Sequence, residues 1–165
     1  MGVGKGSVAR AVVECSEHVG IDTDDLIESM SNTKIKEIFA KKGEPYFRDL
    51  EKKVATWLES SVDDTLVSTG GGFFKVPNIK KIGIIIHLDS PFDDIYKRIK
   101  EHPNAQRKLK KRPLFQDITK AKELYKQRSA QYKKCADITI DVTNKSVEKI
   151  AKELLKKVKE YKGKK

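Results

Sequence analysis

The run Ile82-Gly83-Ile84-Ile85-Ile86-His87-Leu88 is almost continuously apolar. That is the pattern of a strand covered on both faces, and such strands belong to parallel sheets flanked by helices. Three shorter runs read as its companions. They are Val19 to Asp22, the weakest, then Thr65-Leu66-Val67-Ser68-Thr69 and Ile138-Thr139-Ile140-Asp141-Val142. Helical periodicity fills the intervals, over 7–18, 34–42, 44–60, 91–101, 119–134 and 146–161. Ser90 reads as the N-cap of the helix at Pro91, with the proline in its first turn. Strands alternating with helices predict an α/β fold, a three-layer parallel sheet between helices. Ligands of such a fold bind at the carboxyl ends of the strands.

A chain of 165 residues suits one domain, 1–165, with one core. The apolar share of 38% lies above the disordered regime. No apolar run approaches the roughly 20 residues of a membrane span, and no secretory pattern opens the chain. Only Cys15 and Cys135 are present, without a CxxC, so a reduced cytoplasmic setting is expected. The three histidines lack metal-ligand spacing. Lysine and arginine total 35 against 24 carboxylates, a net charge of +11, which favours an anionic partner. The basic run Arg107-Lys108-Leu109-Lys110-Lys111-Arg112 has no interleaved aromatics, so it does not read as a nucleic-acid platform. Residues 149–165 hold eight lysines and two glutamates, which reads as a solvated basic helix and tail over about 146–165.

Three segments carry chemistry. Met1-Gly2-Val3-Gly4-Lys5-Gly6-Ser7 places glycines and a lysine ahead of a helix. Backbone N–H groups, the helix end and the ammonium together can cradle phosphate, although a plain glycine-rich start is the rival reading. It matches the end of a phosphate loop, except that Gly6 stands where a Mg²⁺-binding hydroxyl belongs and Ser7 follows it. Asp22-Thr23-Asp24-Asp25 follows a strand end. Its carboxylates can organise Mg²⁺ or take a proton from a hydroxyl, or they can cap a helix, and both can hold for different residues. Gly70-Gly71-Gly72 closes the second run and can offer bare backbone to a ligand. Arg48 and Arg128, in a lysine-rich chain, are candidates for gripping a carboxylate with paired hydrogen bonds.

In this order and spacing the pieces resemble the shikimate kinases over essentially the whole chain. The resemblance rests on Gly4-Lys5, Ile21-Asp22-Thr23-Asp24, Gly43-Glu44 with Phe47-Arg48 and Glu51, Ser68-Thr69-Gly70-Gly71-Gly72, Arg112-Pro113-Leu114, and Arg128 with Tyr132. It implies ATP-dependent phosphorylation of the 3-hydroxyl of shikimate, with Mg²⁺ as cofactor, by a monomer that binds neither nucleic acid nor membrane. Lys5, Asp24 and Arg112 would be catalytic, with Asp24 as base. Arg48 and Arg128 would hold the carboxylate, and Gly70, Gly71 and Gly72 would line the ring. Phe39, Phe47 and Pro113 would form an apolar wall. Gly2, Gly4, Lys5, Gly6, Ser7, Arg112 and Asn144 would meet ATP. Asp22 would serve the Mg²⁺ shell, with Ser7 a second metal candidate. A lid would span about 102–116. The family's sheet has five parallel strands in the order 2-3-1-4-5. Four runs are legible here, so its first, central strand is expected to be missing. That absence and Gly6 leave two alternatives. One is a catalytically impaired, ligand-binding relative. The other is another small-molecule kinase of the same architecture, which should lack the Arg48, triple-glycine and Arg128 set.

Overall fold

The computed structural model describes residues 2–110, 115 and 117–164, with the side chains of 107, 108 and 110 excepted. Its strands are short and each is paired with one neighbour. β1 (Val19–Asp22) runs parallel to β2 (Thr65–Ser68), with Val19 opposite Thr65 and Asp22 opposite Ser68. β3 (Ile86–Asp89) runs parallel to β4 (Ile138–Asp141), with Ile86 opposite Ile138. Among the described residues these form two separate two-stranded sheets, β1-β2 and β3-β4, which are the pairs that the order 2-3-1-4-5 keeps when its first strand is left out. β3 is correspondingly half-buried along its length, whereas the apolar run had suggested complete cover.

The chain divides into two compact units, Gly6–Ile84 and Met1–Lys5 with Ile85–Lys165. The first contains nearly all of α1 (Lys5–Glu14), then β1, α2 (Thr23–Ser31), α3 (Ile35–Ser61), β2, a 3₁₀ turn (Phe73–Lys75) and α4 (Ile79–Ile82). Its core gathers Ile27, Ile38, Leu50, Val54, Leu58 and Phe73. Helical spacing puts Leu50, Val54 and Leu58 on one stripe of α3, the face that a long amphipathic helix must bury. α3 joins the two helices expected over 34–42 and 44–60. Gly43, at φ 77° and ψ 176°, kinks it, and Pro45 follows in the first turn beyond the kink.

The second unit holds β3, α5 (Phe92–Lys100), α6 (Ala105–Lys110), α7 (Ile118–Cys135), β4 and α8 (Val147–Lys162). β4 alternates buried Ile138 and Ile140 with exposed neighbours. α8 is capped by Ser146, whose hydroxyl accepts the N–H of Lys149, and it buries Ile150, Ala151 and Leu154. The expected cap at Ser90 is displaced by one residue. Pro91 holds the cap position without a side-chain bond, while Ser90 is buried and its carbonyl accepts the Tyr125 hydroxyl at 2.8 Å. No helix of the described residues is long and apolar enough to cross a membrane. The basic excess lies wholly in this unit, which has 24 lysines and arginines against 11 carboxylates. The Gly6–Ile84 unit has 11 against 13.

Candidate active site

In the Gly6–Ile84 unit, Asp22 ends β1 and caps α2. Its Oδ1 accepts the N–H of Asp24 at 2.9 Å. Asp22 therefore takes the capping role in this acidic run, while the Asp24 side chain turns inward. Between them Thr23 is fully buried, and its hydroxyl accepts the N–H of Gly70 at 3.2 Å, tying α2 to the turn after β2. That turn needs its glycines for close approach rather than for an unusual φ. A Cβ on Gly70 would lie 2.6 Å from Asp24 Oδ1, and one on Gly72 would lie 2.8 Å from Arg48 Cζ. The bare backbone is thus pressed against a carboxylate at one end and a guanidinium at the other. Phe73, 1% exposed, anchors the turn from below.

Arg48 is held on both sides. Its Nη1 donates to Glu51 Oε2 at 2.6 Å, and its Nε and Nη2 donate to Glu44 Oε1 at 2.9 and 2.6 Å. Burial works against its charge, but the two carboxylates outweigh it and raise its pKa. Glu51 is 1% exposed, and its Oε1 has no hydrogen-bond partner among the described residues. The guanidinium lies over the Phe47 ring at 5.4 Å, and Phe39 packs on Phe47 at 4.9 Å. Phe39 and Phe47 thus form an aromatic pair beside a fixed cation, with Phe39 exposed and Phe47 buried.

In the other unit, Gly2 and Gly4 both adopt positive φ, 68° and 96°, just before α1 opens at Lys5. Gly2 is also sterically required, because a Cβ there would meet Ile99 Cδ1 at 3.0 Å and Ile95 Cγ2 at 3.1 Å. Arg98 donates to the Gly2 carbonyl at 3.2 Å. The first turn of α1 carries no acidic residue, so no carboxylate of that turn offsets the partial positive charge of the helix end. Asn144 lies after β4 at φ 54°, exposed. On α7, Arg128 is half-buried, and burial raises the Tyr132 pKa against the nearby Arg128 charge. Arg112 and Pro113, and with them the centre of the expected lid, lie outside the described residues; α6 occupies part of 102–116.

β3 brings His87 under the Tyr132 ring. Burial lowers the His87 pKa below its ordinary 6.5, against the nearby Asp89 carboxylate, with Lys133 adding to the lowering. The folded state therefore binds fewer protons at this site than the unfolded state. Its contribution is present above about pH 6.5 and lost as pH falls below it. The urea midpoint should drop between pH 7 and 5.5, and His87→Phe should flatten that drop. An equal slope in both proteins would assign the pH dependence elsewhere.

The sequence pattern of the shikimate kinase family matches residues 1–159. The chain belongs to the shikimate kinase family. It is 36% identical to the shikimate kinase of Caldanaerobacter subterraneus, covering 99% of this chain and 94% of that one. It is 36% identical to that of Helicobacter hepaticus, covering 81% of this chain and 77% of that one. Among solved structures it is similar to a shikimate kinase from Acinetobacter baumannii in complex with shikimate. The TM-score is 0.76 at 28% identity, covering 98% of this chain and 90% of that one.

Within this shikimate kinase framework the Gly6–Ile84 unit brings Asp22, Asp24, Arg48, Phe47 and the three glycines onto one surface. Sequence reading missed how far Glu51 and Glu44 support Arg48. The available signal was spacing, because residues three and four apart on a helix face each other. It also missed α2 as a helix, along with α4 and α6.

Proposed function

We propose that this chain transfers the γ-phosphoryl group of ATP to the 3-hydroxyl of shikimate. One observation carries the reading: a single glycine turn approaches both Asp24, a carboxylate suited to a hydroxyl, and Arg48, a fixed cation suited to an acid. A hydroxylated carboxylic acid matches that pair. Asp24 holds the accepting hydroxyl and takes its proton as the new P–O bond forms. Arg48 and Arg128 grip the carboxylate, and Gly70 to Gly72 and Phe47 shape the ring's surroundings. Gly2, Gly4, Gly6 and Ser7 offer backbone N–H groups to ATP, Lys5 holds its β- and γ-phosphates, and Asn144 borders the base. Arg112 closes on the phosphates with the segment 102–116, which should gain protection from proteases when both substrates bind. The basic excess of the unit containing Lys5 suits a polyanionic nucleotide. Phosphoryl transfer needs alignment and charge neutralisation more than covalent help.

The donors fit Mg²⁺. Asp22 uses Oδ1 as the α2 cap, which leaves Oδ2 for a hydrated ion. Mg²⁺ keeps several waters and is commonly held by one or two carboxylates together with substrate phosphates. Asp22 would hold it, with Ser7 the second candidate, and it would supply neutralisation of phosphate charge. A cytoplasmic monomer completes the reading, in keeping with a chain that has only two cysteines and no CxxC.

The test is ADP release with and without shikimate, with ³¹P detection of the ester. Release that ignores shikimate, or an equal response to gluconate or a nucleoside monophosphate, would refute the assignment.

Gly6 allows a separate check. A Cβ there would meet only Arg10 Nη1, at 3.7 Å, the tip of a flexible side chain, so serine fits. Ser7 cannot substitute cleanly, since it points about 100° away around the helix. Gly6→Ser should raise turnover several-fold and lower the Mg²⁺ requirement. It should also stabilise the helix by at most about 0.5 kcal/mol, since serine is a weaker helix former than alanine. Unchanged Mg²⁺ dependence would show that the missing hydroxyl has no consequence.

A further inference from the structure

We infer that Thr23 is a positioning residue whose buried hydroxyl sets where the glycine turn stands against Asp24, a role that rests on the reading of Asp24 as the base. Thr23 opens α2 and is fully buried. Threonine at a helix start commonly spends its hydroxyl on capping that helix. Here the cap is already supplied by Asp22, whose Oδ1 accepts the Asp24 N–H at 2.9 Å, so the Thr23 hydroxyl serves another element. It accepts the N–H of Gly70 at 3.2 Å, across 47 residues of chain. β1 and β2 pair as far as Asp22 opposite Ser68. Past that rung the chain turns into α2, and the Thr23–Gly70 bond carries the linkage beyond the end of the ladder.

Gly70 is thereby held at both of its backbone polar groups. Its carbonyl accepts the Phe73 N–H at 3.2 Å, and Phe73 is itself sealed in the core. The position that a Cβ would take on Gly70 lies 2.6 Å from Asp24 Oδ1, so the Asp24 carboxylate rests directly against this backbone. A shift of the turn toward α2 would push the carboxylate, and a shift away would open the space it leans on. Thr23 sets that spacing from inside the fold and acts on the base without touching substrate. A misplacement of about 1 Å can cost about 10²-fold in rate.

Thr23→Val keeps the branching and nearly the volume, and removes the acceptor. Its kcat with shikimate, measured well below its melting temperature, should fall roughly 10- to 100-fold, while the ATP KM stays within about twofold. Thr23→Ser keeps the hydroxyl and loses only a methyl. It should lower the melting temperature yet hold kcat within about threefold of the parent. Hydrogen exchange reads the bond itself, since the Gly70 amide should lose protection in Thr23→Val and keep it in Thr23→Ser. Thr23→Ala against Thr23→Ser makes the same comparison if Thr23→Val does not fold. In an Asp24→Asn background Thr23→Val should cost no further turnover, because no base is left to misplace. Unchanged kcat in Thr23→Val, equal losses in Thr23→Val and Thr23→Ser, or a full Thr23→Val effect on top of Asp24→Asn would overturn the positioning role. Normal turnover in Asp24→Asn alone would instead remove the base reading, and this role with it.

Discussion

Arg48→Ala should weaken shikimate binding by about 2–5 kcal/mol, roughly thirty- to several-thousand-fold in Kd, while ATP affinity stays nearly unchanged. The same substitution should also destabilise the fold, because Glu51 would keep a carboxylate at 1% exposure with its cation gone. Breaking a buried pair from one side costs about 3–5 kcal/mol, a large part of the 5–15 kcal/mol that holds a domain folded. The two effects can be separated. Arg48→Ala with Glu51→Met removes the stranded charge and fills its space with an apolar chain of similar length. That double variant should regain most of the melting temperature and none of the shikimate affinity. Recovery of both would mean that Arg48 acts on binding only by keeping α3 in shape.

Asp24→Asn should lower turnover by about 10²–10⁴, the range for removing a positioned base, with a smaller effect on shikimate affinity. The amide can still share hydrogen bonds with ring hydroxyls, but it cannot take the proton. Asp25→Asn is the matched control, one residue further along α2. It lies in the same acidic first turn but not against the glycine turn. Normal turnover in Asp24→Asn, with loss in Asp25→Asn, would move the base by one residue.

Asp22, Asp24 and the three glycines are legible as candidates because carboxylates and glycines have few uses at a strand end, and Arg48 because arginines are few in this lysine-rich chain. The reason for the glycines was not legible. It lies in Asp24 and Arg48 pressing on backbone from other elements, and no local pattern encodes a distance across the fold. Glu51 was quoted only as part of a motif, since nothing in the sequence distinguishes a buried carboxylate from the exposed ones around it. The apolar run at 82–88 misled in a different way. It correctly marks a strand, but Ile82 ends α4 and pairing starts at Ile86. Hydrophobicity records a demand for cover, not which ladder meets it. Gly43 was legible as the break between two helices, and its non-helical backbone, φ 77° and ψ 176°, divides α3 at that residue.

The two parallel ladders have a consequence for how the chain opens and closes. Val19 finds Thr65, and Ile86 finds Ile138, each across a long intervening helical stretch. Each ladder must therefore wait for its own loop to close, and no described strand hydrogen-bonds to both. Amides at 65–68 and at 138–141 should then belong to two exchange cohorts with separate opening free energies, rather than to one global event. Denaturant would resolve them as two isotherms, and strand protection would appear in refolding as two phases.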